Sequence, residues 1–478
     1  MTNARASGDT LVPAVFCAPE DRGRILCAAV LASSMGFIDM SVTAIAMPAM
    51  REALGATLTQ AQWINAAYLL TLSALVLVGG ALGDRFGIAR VFAIGIWIFA
   101  AGSVGCAFAG DAGLMIAARA IKGIGAALMV PGSMAMVSRA YPPQDQGRAL
   151  GLWAAASTMT TALGPVIGGV LITSGSELGW RLIFGLNLPL GLAALWLVRG
   201  RATGDQGRPG VKVDLIGGAL ASVGLGLMAW TLTEPGASPF LWLLVIGLLA
   251  AFLTWEAVCP APMIRLGLFR NRLFALTNLV TLTLYFALSG VMFYLPMVAV
   301  SAWGVTALEV TAAYLPTSVL IAVLSAPAGR WADRYGPGPL MAAGSATVAL
   351  AYAGLALSGG TGDFWGRVLP CMVLAGAGLG LVVAPLTAAV MQAAGPEEKG
   401  AASGINNAVA RVAALIAVAL LGRVAAWAYG PEGPGFGAAG TKAAHLAASG
   451  AGFAAVTAIA AAMAALAAVL AMTTLRVK

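Results

Sequence analysis

Long apolar runs, parted by short polar or glycine-rich breaks, fill the chain from about residue 25 to its end. A helix needs roughly 20 apolar residues to cross a bilayer. The pattern predicts fourteen such spans, over 25–48, 61–83, 90–109, 113–137, 149–173, 180–198, 213–233, 239–257, 273–302, 309–329, 339–358, 366–393, 401–428 and 450–473. The expected fold is therefore an all-α membrane protein.

The breaks repeat. Gly80 Ala81 Leu82 Gly83 Asp84 Arg85 Phe86 Gly87 parts spans two and three, and Gly329 Arg330 Trp331 Ala332 Asp333 Arg334 Tyr335 Gly336 returns later, with Asp84 and Asp333 249 residues apart (333 − 84). Pro143, Gly147, Ala149 and Gly151 recur as Pro396, Gly400, Ala402 and Gly404 at an offset of 253 (396 − 143). The chain reads as two six-span halves. The Arg-rich stretch from Arg199 to Lys212 closes the first, the patch from Arg265 to Arg272 opens the second, and two inserted helices lie between. The expected division is 1–198, a first bundle with its N-terminal tail; 199–270, a linker with the inserted helices; and 271–478, a second bundle. Duplicated halves with charged, glycine-rich hinges suit alternating access, in which one half rocks against the other. Gly83 and Gly87 are expected to make a tight turn, and Gly430 to Gly440 a flexible loop.

Composition agrees with the pattern. Hydrophobic residues make up 60% of 478 positions and charged residues 10%, too few for a soluble surface. The net charge of +8 could suggest nucleic acid. However, most Lys and Arg, among them Arg85, Arg90, Arg139, Arg148, Arg199, Arg201, Arg265, Arg330 and Arg334, fall on one side of the predicted spans, with Arg51 and Lys442 on the other. By the positive-inside rule both termini are expected in the cytoplasm. The partner implied by this charge is the bilayer, not nucleic acid. The polar or mixed first 23 residues precede an apolar run long enough to span, so no cleaved signal peptide is expected. Compact loops point to a bacterial cytoplasmic membrane. Five scattered cysteines read as small apolar fillers, and His445 as a solvated loop residue. No metal or other cofactor is expected. The sequence has no phosphate-binding loop ending in Lys-Ser/Thr and no nucleophile with a histidine base, which argues against an enzyme and an ATP-driven pump.

Ionisable groups at membrane depth are costly and are functional hypotheses by default. Four qualify: Asp39, Arg119, Lys122 and Arg411. Asp39 is the sole deep carboxylate and the leading candidate to accept and release a proton; Glu256 and Glu309 fall at span ends and read as interfacial. Asp39 lies nine residues before Pro48, taken as the end of span one, and Arg119 about seven residues into span four. At 1.5 Å per residue both sit roughly 10–14 Å below the same surface, close enough to meet either as a switch or as a static ion pair. Lys122 follows Arg119 on the same helix face, one turn deeper. Arg411 lies near the midplane with Asn406 and Asn407 on its helix, where such groups either line a cavity or bond helix to helix. Tyr68, Tyr285 and Tyr314 are further cavity candidates. One acid against three bases at depth disfavours a permanently cationic cargo and favours a neutral or anionic amphipathic one.

Span five carries Gly164 Pro165 Val166 Ile167 Gly168 Gly169, a string that allows bending and close helix approach. Together with the other strings it resembles the major facilitator superfamily, and within it the fourteen-helix drug:proton antiporter family, over nearly the whole chain. Asp39 Met40 Ser41 Val42 Thr43 Ala44 Ile45 Ala46 Met47 Pro48 looks like that family's first-helix motif, with Ala44 where Asn is usual. Gly80 to Arg90 is similar to its loop-two gating motif, which implies that Asp84 and Arg85, with Gly80, Gly83 and Gly87, hold an inward gate; Asp333 and Arg334 are the second copy. Arg119 with Gly123 and Gly125 matches the fourth-helix motif tied to proton transfer, with Lys122 where Gln is usual. Gly164, Pro165, Gly168 and Gly169 match the string that marks antiporters, which implies export. Trp180, Arg181, Phe184, Asn187, Pro189 and Gly191 match the sixth-helix signature, with Asn187 a cavity candidate. The resemblance implies two six-helix bundles plus two inserted helices. Its implied activity is proton-coupled efflux of a small amphipathic drug or metabolite, with a monomer as the expected working unit. A symporter or uniporter of the same fold is the alternative, and a membrane enzyme or receptor a weaker one.

Overall fold

A computed structural model describes residues 16–173, 178–208, 210–234, 236–359, 362–395, 398–431 and 433–474. Among them every regular element is helical: α1 Arg22–Ala53, α2 Leu58–Phe86, α3 Ile88–Ala107, α4 Ala112–Ala140, α5 Pro143–Thr173, α6 Gly179–Gly185, α7 Asn187–Val198, α8 Leu215–Thr233, α9 Pro239–Val258, α10 Arg272–Ser301, α11 Ala307–Tyr335, α12 Pro337–Ser358, α13 Leu369–Gln392, α14 Lys399–Tyr429 and α15 Ala443–Thr474. Thirteen helices are long and apolar enough to cross a membrane, with α6 and α7 forming one span over Gly179–Val198. α5 adds a helix of 31 residues.

The duplication is visible in local chemistry. α2 opens with a capping box between Thr57 and Gln60, and α11 opens with the same box between Thr306 and Glu309, 249 residues on (306 − 57). Each box satisfies backbone donors that the first turn of a helix leaves unpaired. Both helices end at a glycine with positive φ, Gly87 at 101° and Gly336 at 81°. The two halves also pair their helices alike: α2 and α3 pack on α4 as α11 and α12 pack on α13, and α1 packs on α5 as α10 packs on α14.

Glycines set how closely these helices approach. Without a hydrophobic force between helices in lipid, backbone proximity and dense packing hold the bundle. A Cβ added at Gly125 of α4 would come within 2.4 Å of Phe99 N on α3, and one at Gly378 of α13 within 2.6 Å of Gly344 O on α12. On α2, a Cβ at Gly79 would meet Ala127 O of α4 at 2.1 Å. The inserted α8 packs on α2, α14 and α9. α9 buries only Val245, Phe252 and Glu256, leaving an apolar face outward.

Several expectations need correction. Span one does not end at Pro48, because α1 continues to Ala53: a proline removes one backbone donor without ending a helix that neighbours support. Gly83 and Asp84 lie within α2, so only Gly87 makes the turn. Glu256 stands at the end of α9 as expected, but it is buried, with Oε2 accepting from Ile264 N at 2.7 Å. His445 is buried too; its Nδ1 pairs with the Tyr429 hydroxyl at 2.7 Å and its Nε2 with Ala438 O at 3.0 Å. That contact tucks in the segment expected to be a free loop, where Phe436 is buried and its carbonyl accepts from Arg51 Nη1 at 2.6 Å.

Gly79→Val is expected to destabilise the bundle by about 1–3 kcal/mol through overpacking, read as a lower thermal midpoint in detergent. Gly247→Ala, on α9 with nothing within 4 Å of the added carbon, is expected to stay within about 0.5 kcal/mol of the parent.

Candidate functional site

Asp39 sits midway along α1, with both carboxylate oxygens taken by cations from α4. Arg119 Nη1 donates to Oδ2 and Lys122 Nζ donates to Oδ1, and none of the three side chains has exposed surface. Residues three apart on a helix share one face, so α4 offers both cations to one carboxylate. Arg119 Nε also donates to Ile64 O of α2 at 3.0 Å, and its guanidinium lies 4.4 Å from the centroid of the Tyr68 ring. Lys122 Nζ lies 4.5 Å from the Phe99 ring and 4.7 Å from the Phe184 ring. Removing one member of a buried ion pair costs about 3–5 kcal/mol, because the other charge is stranded. The cluster thus ties α1 firmly to α4.

α4 reaches its neighbours through the glycines of the same motif. A Cβ at Gly123 would stand 1.9 Å from Thr71 Oγ1 of α2, and one at Gly102 of α3 would stand 2.6 Å from Lys122 Cγ. Lys122 is therefore sealed within the first bundle rather than lining a cargo cavity.

The other expected cavity residues are dispersed. Arg411 Nη1 points to Met40 Sδ at 3.9 Å, and its buried Nε has no acceptor. Among the described residues no carboxylate lies within salt-bridge distance of this guanidinium. Asn406 bonds helix to helix: its Nδ2 donates to Asn278 Oδ1 at 3.2 Å and to Thr281 Oγ1 at 2.7 Å on α10. The Tyr314 hydroxyl donates to Met292 O at 2.9 Å. Asn187 is buried at the start of α7 with its Nδ2 unpartnered.

The bundles are joined toward the end that carries Arg51. Thr311 Oγ1 of α11 donates to Pro165 O of α5 at 3.0 Å, and Gln62 Nε2 of α2 donates to Val418 O of α14 at 2.5 Å. These contacts are symmetric partners, α5 on α11 and α2 on α14. The glycine string makes the first one possible: a Cβ at Gly169 would stand 2.6 Å from Thr311 Oγ1 and 2.9 Å from Leu308 Cα. On its other side the string meets α1, where a Cβ at Gly164 would stand 2.0 Å from Ser41 Oγ and one at Gly168 would stand 2.9 Å from Val42 Cγ1. At the opposite end, a cleft of about 530 Å³ is lined by Leu77, Val78, Ala81, Asp84, Lys212 and Ala401 with their neighbours.

The wedge at that end is gripped by the linker. Asp84 accepts from Arg139 Nη2 at 3.0 Å within the first bundle, and Arg85 lies 5.1 Å over the Phe86 ring. Gly80 faces Pro131. Asp205 caps α3, its Oδ1 and Oδ2 accepting from Ile88 N at 2.8 Å and Ala89 N at 2.7 Å, while Arg208 N donates to Asp84 O at 2.8 Å. Asp333 and Arg334 are exposed, the latter 5.2 Å over the Tyr335 ring. The sequence reading missed Gln62, Thr311 and Asp205. Asp205 had a signal, being the only carboxylate in the Arg-rich stretch from Arg199 to Lys212; Gln62 and Thr311 had a weaker one, as polar residues two positions past each capping box.

With this geometry in place, comparisons extend it. Residues 29–418 match the family model of the Major Facilitator Superfamily. An uncharacterized MFS-type transporter of Mycobacterium tuberculosis is 32% identical over 390 residues, 80% of this chain and 66% of that protein. The methylenomycin A resistance protein of Bacillus subtilis is 31% identical over 410 residues, 83% of this chain and 86% of its own length. In fold, the chain is similar to a bacterial homolog of the human lysosomal transporter Spinster in its inward-facing, unoccupied conformation, with a TM-score of 0.71, 16% identity, and coverage of 96% of this chain and 98% of that one.

Gly169→Val is expected to wedge α5 from α11. An overpacking cost of about 1–3 kcal/mol, borne only by the sealed arrangement, shifts the population toward opening at the Arg51 end by about fivefold to a hundredfold. The readout is a cysteine introduced at the buried Ala313, whose labelling by a membrane-impermeant maleimide from that face should rise accordingly; unchanged labelling would count against this seam.

Proposed function

Given that this chain belongs to the Major Facilitator Superfamily, we propose that it is a proton-coupled antiporter of the fourteen-helix drug:proton type. Its cargo is a neutral or anionic amphipathic small molecule, exported by alternating access. The chain is a multi-pass membrane transporter, not an enzyme. The observation that carries the proton reading is the Asp39 cluster: three charges with no exposed surface inside a membrane bundle. Such groups are expensive in lipid and are kept where ions or protons move.

The orientation follows from charge. The wedge end carries Arg85, Arg90, Arg139, Arg330 and Arg334, which under the positive-inside rule supports a cytoplasmic wedge end with both termini on that side. The sealed Arg51 end then faces outward, and the cleft at the wedge end opens on the cytoplasmic side. A bacterial cytoplasmic membrane and a monomeric working unit fit this arrangement. A resistance function, as named for the B. subtilis relative, is what outward pumping confers.

α1 couples the proton site to the seal. Ser41 and Val42, two and three residues beyond Asp39, pack on Gly164 and Gly168, and Gly169 beside them faces Thr311. A change of charge in the Asp39–Arg119–Lys122 cluster that moves α1 therefore presses on the helix that closes the outer end. Arg411 reads the cargo's charge: among the described residues its guanidinium hydrogen-bonds only to a thioether, so a passing cation meets an uncompensated positive charge and an anion gains a charge-assisted contact.

In proteoliposomes, wild-type protein is expected to concentrate cargo inside the vesicle only when the lumen is made the more acidic side, so that protons leave as cargo enters. Asp39→Asn should insert yet accumulate cargo at background level. Across a series of matched charge, anionic and neutral amphiphiles should be moved and quaternary ammonium dyes should not. Efficient transport indifferent to the proton gradient overturns the antiport reading, and preferential transport of quaternary dyes overturns the charge assignment.

A further inference from the structure

The cluster holds one carboxylate and two cations, a net charge of +1 with no exposed surface. Two single-proton steps lead away from that state. Adding a proton to Asp39 leaves two buried cations with no anion, a net +2. Removing one from Lys122 leaves a neutral amine beside an intact Asp39–Arg119 pair, a net charge of zero. The penalty for burying charge in a low-dielectric medium grows with the square of the charge, so the second step is the less costly. Arginine does not release its proton in proteins, whereas a buried lysine does so readily.

We propose that the exchanged proton is carried by Nζ of Lys122, with Asp39 a carboxylate throughout the cycle. The inference rests on the proton-driven reading of this site and names the atom it uses. The step balances as Lys122–NH₃⁺ giving Lys122–NH₂ and a proton, which passes to solvent when the bundle opens.

The surroundings of Nζ suit a group that is charged in one state only. An ammonium has three donors, and here its one hydrogen-bond acceptor is Asp39 Oδ1; the rings of Phe99 and Phe184 cover it on other sides. The titratable groups about it are Asp39 from α1, Arg119 from its own helix and the Cys106 thiol from α3, with Tyr68 of α2 against Arg119. The cluster also holds a donor in reserve. Arg119 Nη2 is buried without a partner, so when Lys122 lets go, the guanidinium has a second N–H group with which to take Asp39 two-handed. Discharge of Lys122 thus regroups α1 and α4 without stranding the carboxylate.

The test uses wild-type protein first. In reconstituted membranes, the acid-minus-neutral infrared difference spectrum is expected to contain no protonated-carboxyl stretch that disappears in Asp39→Asn. Cargo-induced proton release, read with a pH dye, is expected to fall at least tenfold in Lys122→Arg, which keeps the positive charge but has no proton to give. Gradient-driven accumulation should fall with it. An Asp39-dependent carboxyl band at acid pH, or a Lys122→Arg protein that pumps at half the wild-type rate or better, overturns the assignment. Should Lys122→Arg not insert, the wild-type spectrum decides alone. Failure of the proton reading itself shows separately, as wild-type accumulation that ignores the imposed gradient.

Discussion

A carboxylate inside a bilayer must be given partners, and in this protein everything near the first bundle's centre is arranged around that need. Asp39 has no exposed surface, and its partners come from a helix that could not reach it if ordinary side chains stood between. The glycines of α4 answer the requirement. Gly123 brings the helix against α2 and Gly125 brings it against α3, each at a separation that would not admit a Cβ. Charge at depth and backbone at close range are one constraint: the ion cluster holds α1 to α4, and the glycines let α4 stay there without a void.

The duplication supplies scaffold, not chemistry. Gly123 and Gly125 have counterparts in Gly376 and Gly378, 253 residues on (376 − 123), and those glycines make equally close contacts in the second bundle. At the same offset from Arg119 and Lys122 stand Met372 and Ala375, both buried and apolar. The second bundle thus keeps the helix geometry without the charges. Its contribution is Arg411, a cation with no ion-paired acid among the described residues. This division lets one bundle hold the ion cluster while the other presents a fixed charge, and the seams of α5 on α11 and α2 on α14 hold the two together at one end.

Much of this was legible from sequence because lipid narrows the options. Span positions followed from apolar runs, the repeat from the Asp84 and Asp333 wedges, and the Asp39–Arg119 meeting from depth alone. Other features depended on tertiary context. Lys122 looked like a cavity residue because a second cation beside Arg119 reads as excess charge until the carboxylate is seen to have two free oxygens. Asn406 could line a cavity or bond across helices, and only the placement of Asn278 and Thr281 on α10 resolves it. His445 read as solvated because its partners, Tyr429 and a loop carbonyl, are not metal ligands or acids. The role of Asp205 was hidden by distance: it caps α3 from 117 residues away.

That last contact bears on how such a molecule moves. The wedge between α2 and α3 has no side-chain bond to the second bundle among those described; its grip is the linker, through Asp205 on Ile88 and Ala89 and through Arg208 on Asp84. A helix start capped by a carboxylate gains about 0.5–2 kcal/mol, enough to bias a hinge but not to lock it. The linker leads directly into α8, which packs on α2 and α14, one helix from each bundle. Rocking of the bundles must therefore either carry α8 with one of them or slide it along the other, and the strain reaches the wedge through Asp205. The inserted pair of helices is in this sense mechanically joined to the hinge, even though it lies outside both bundles.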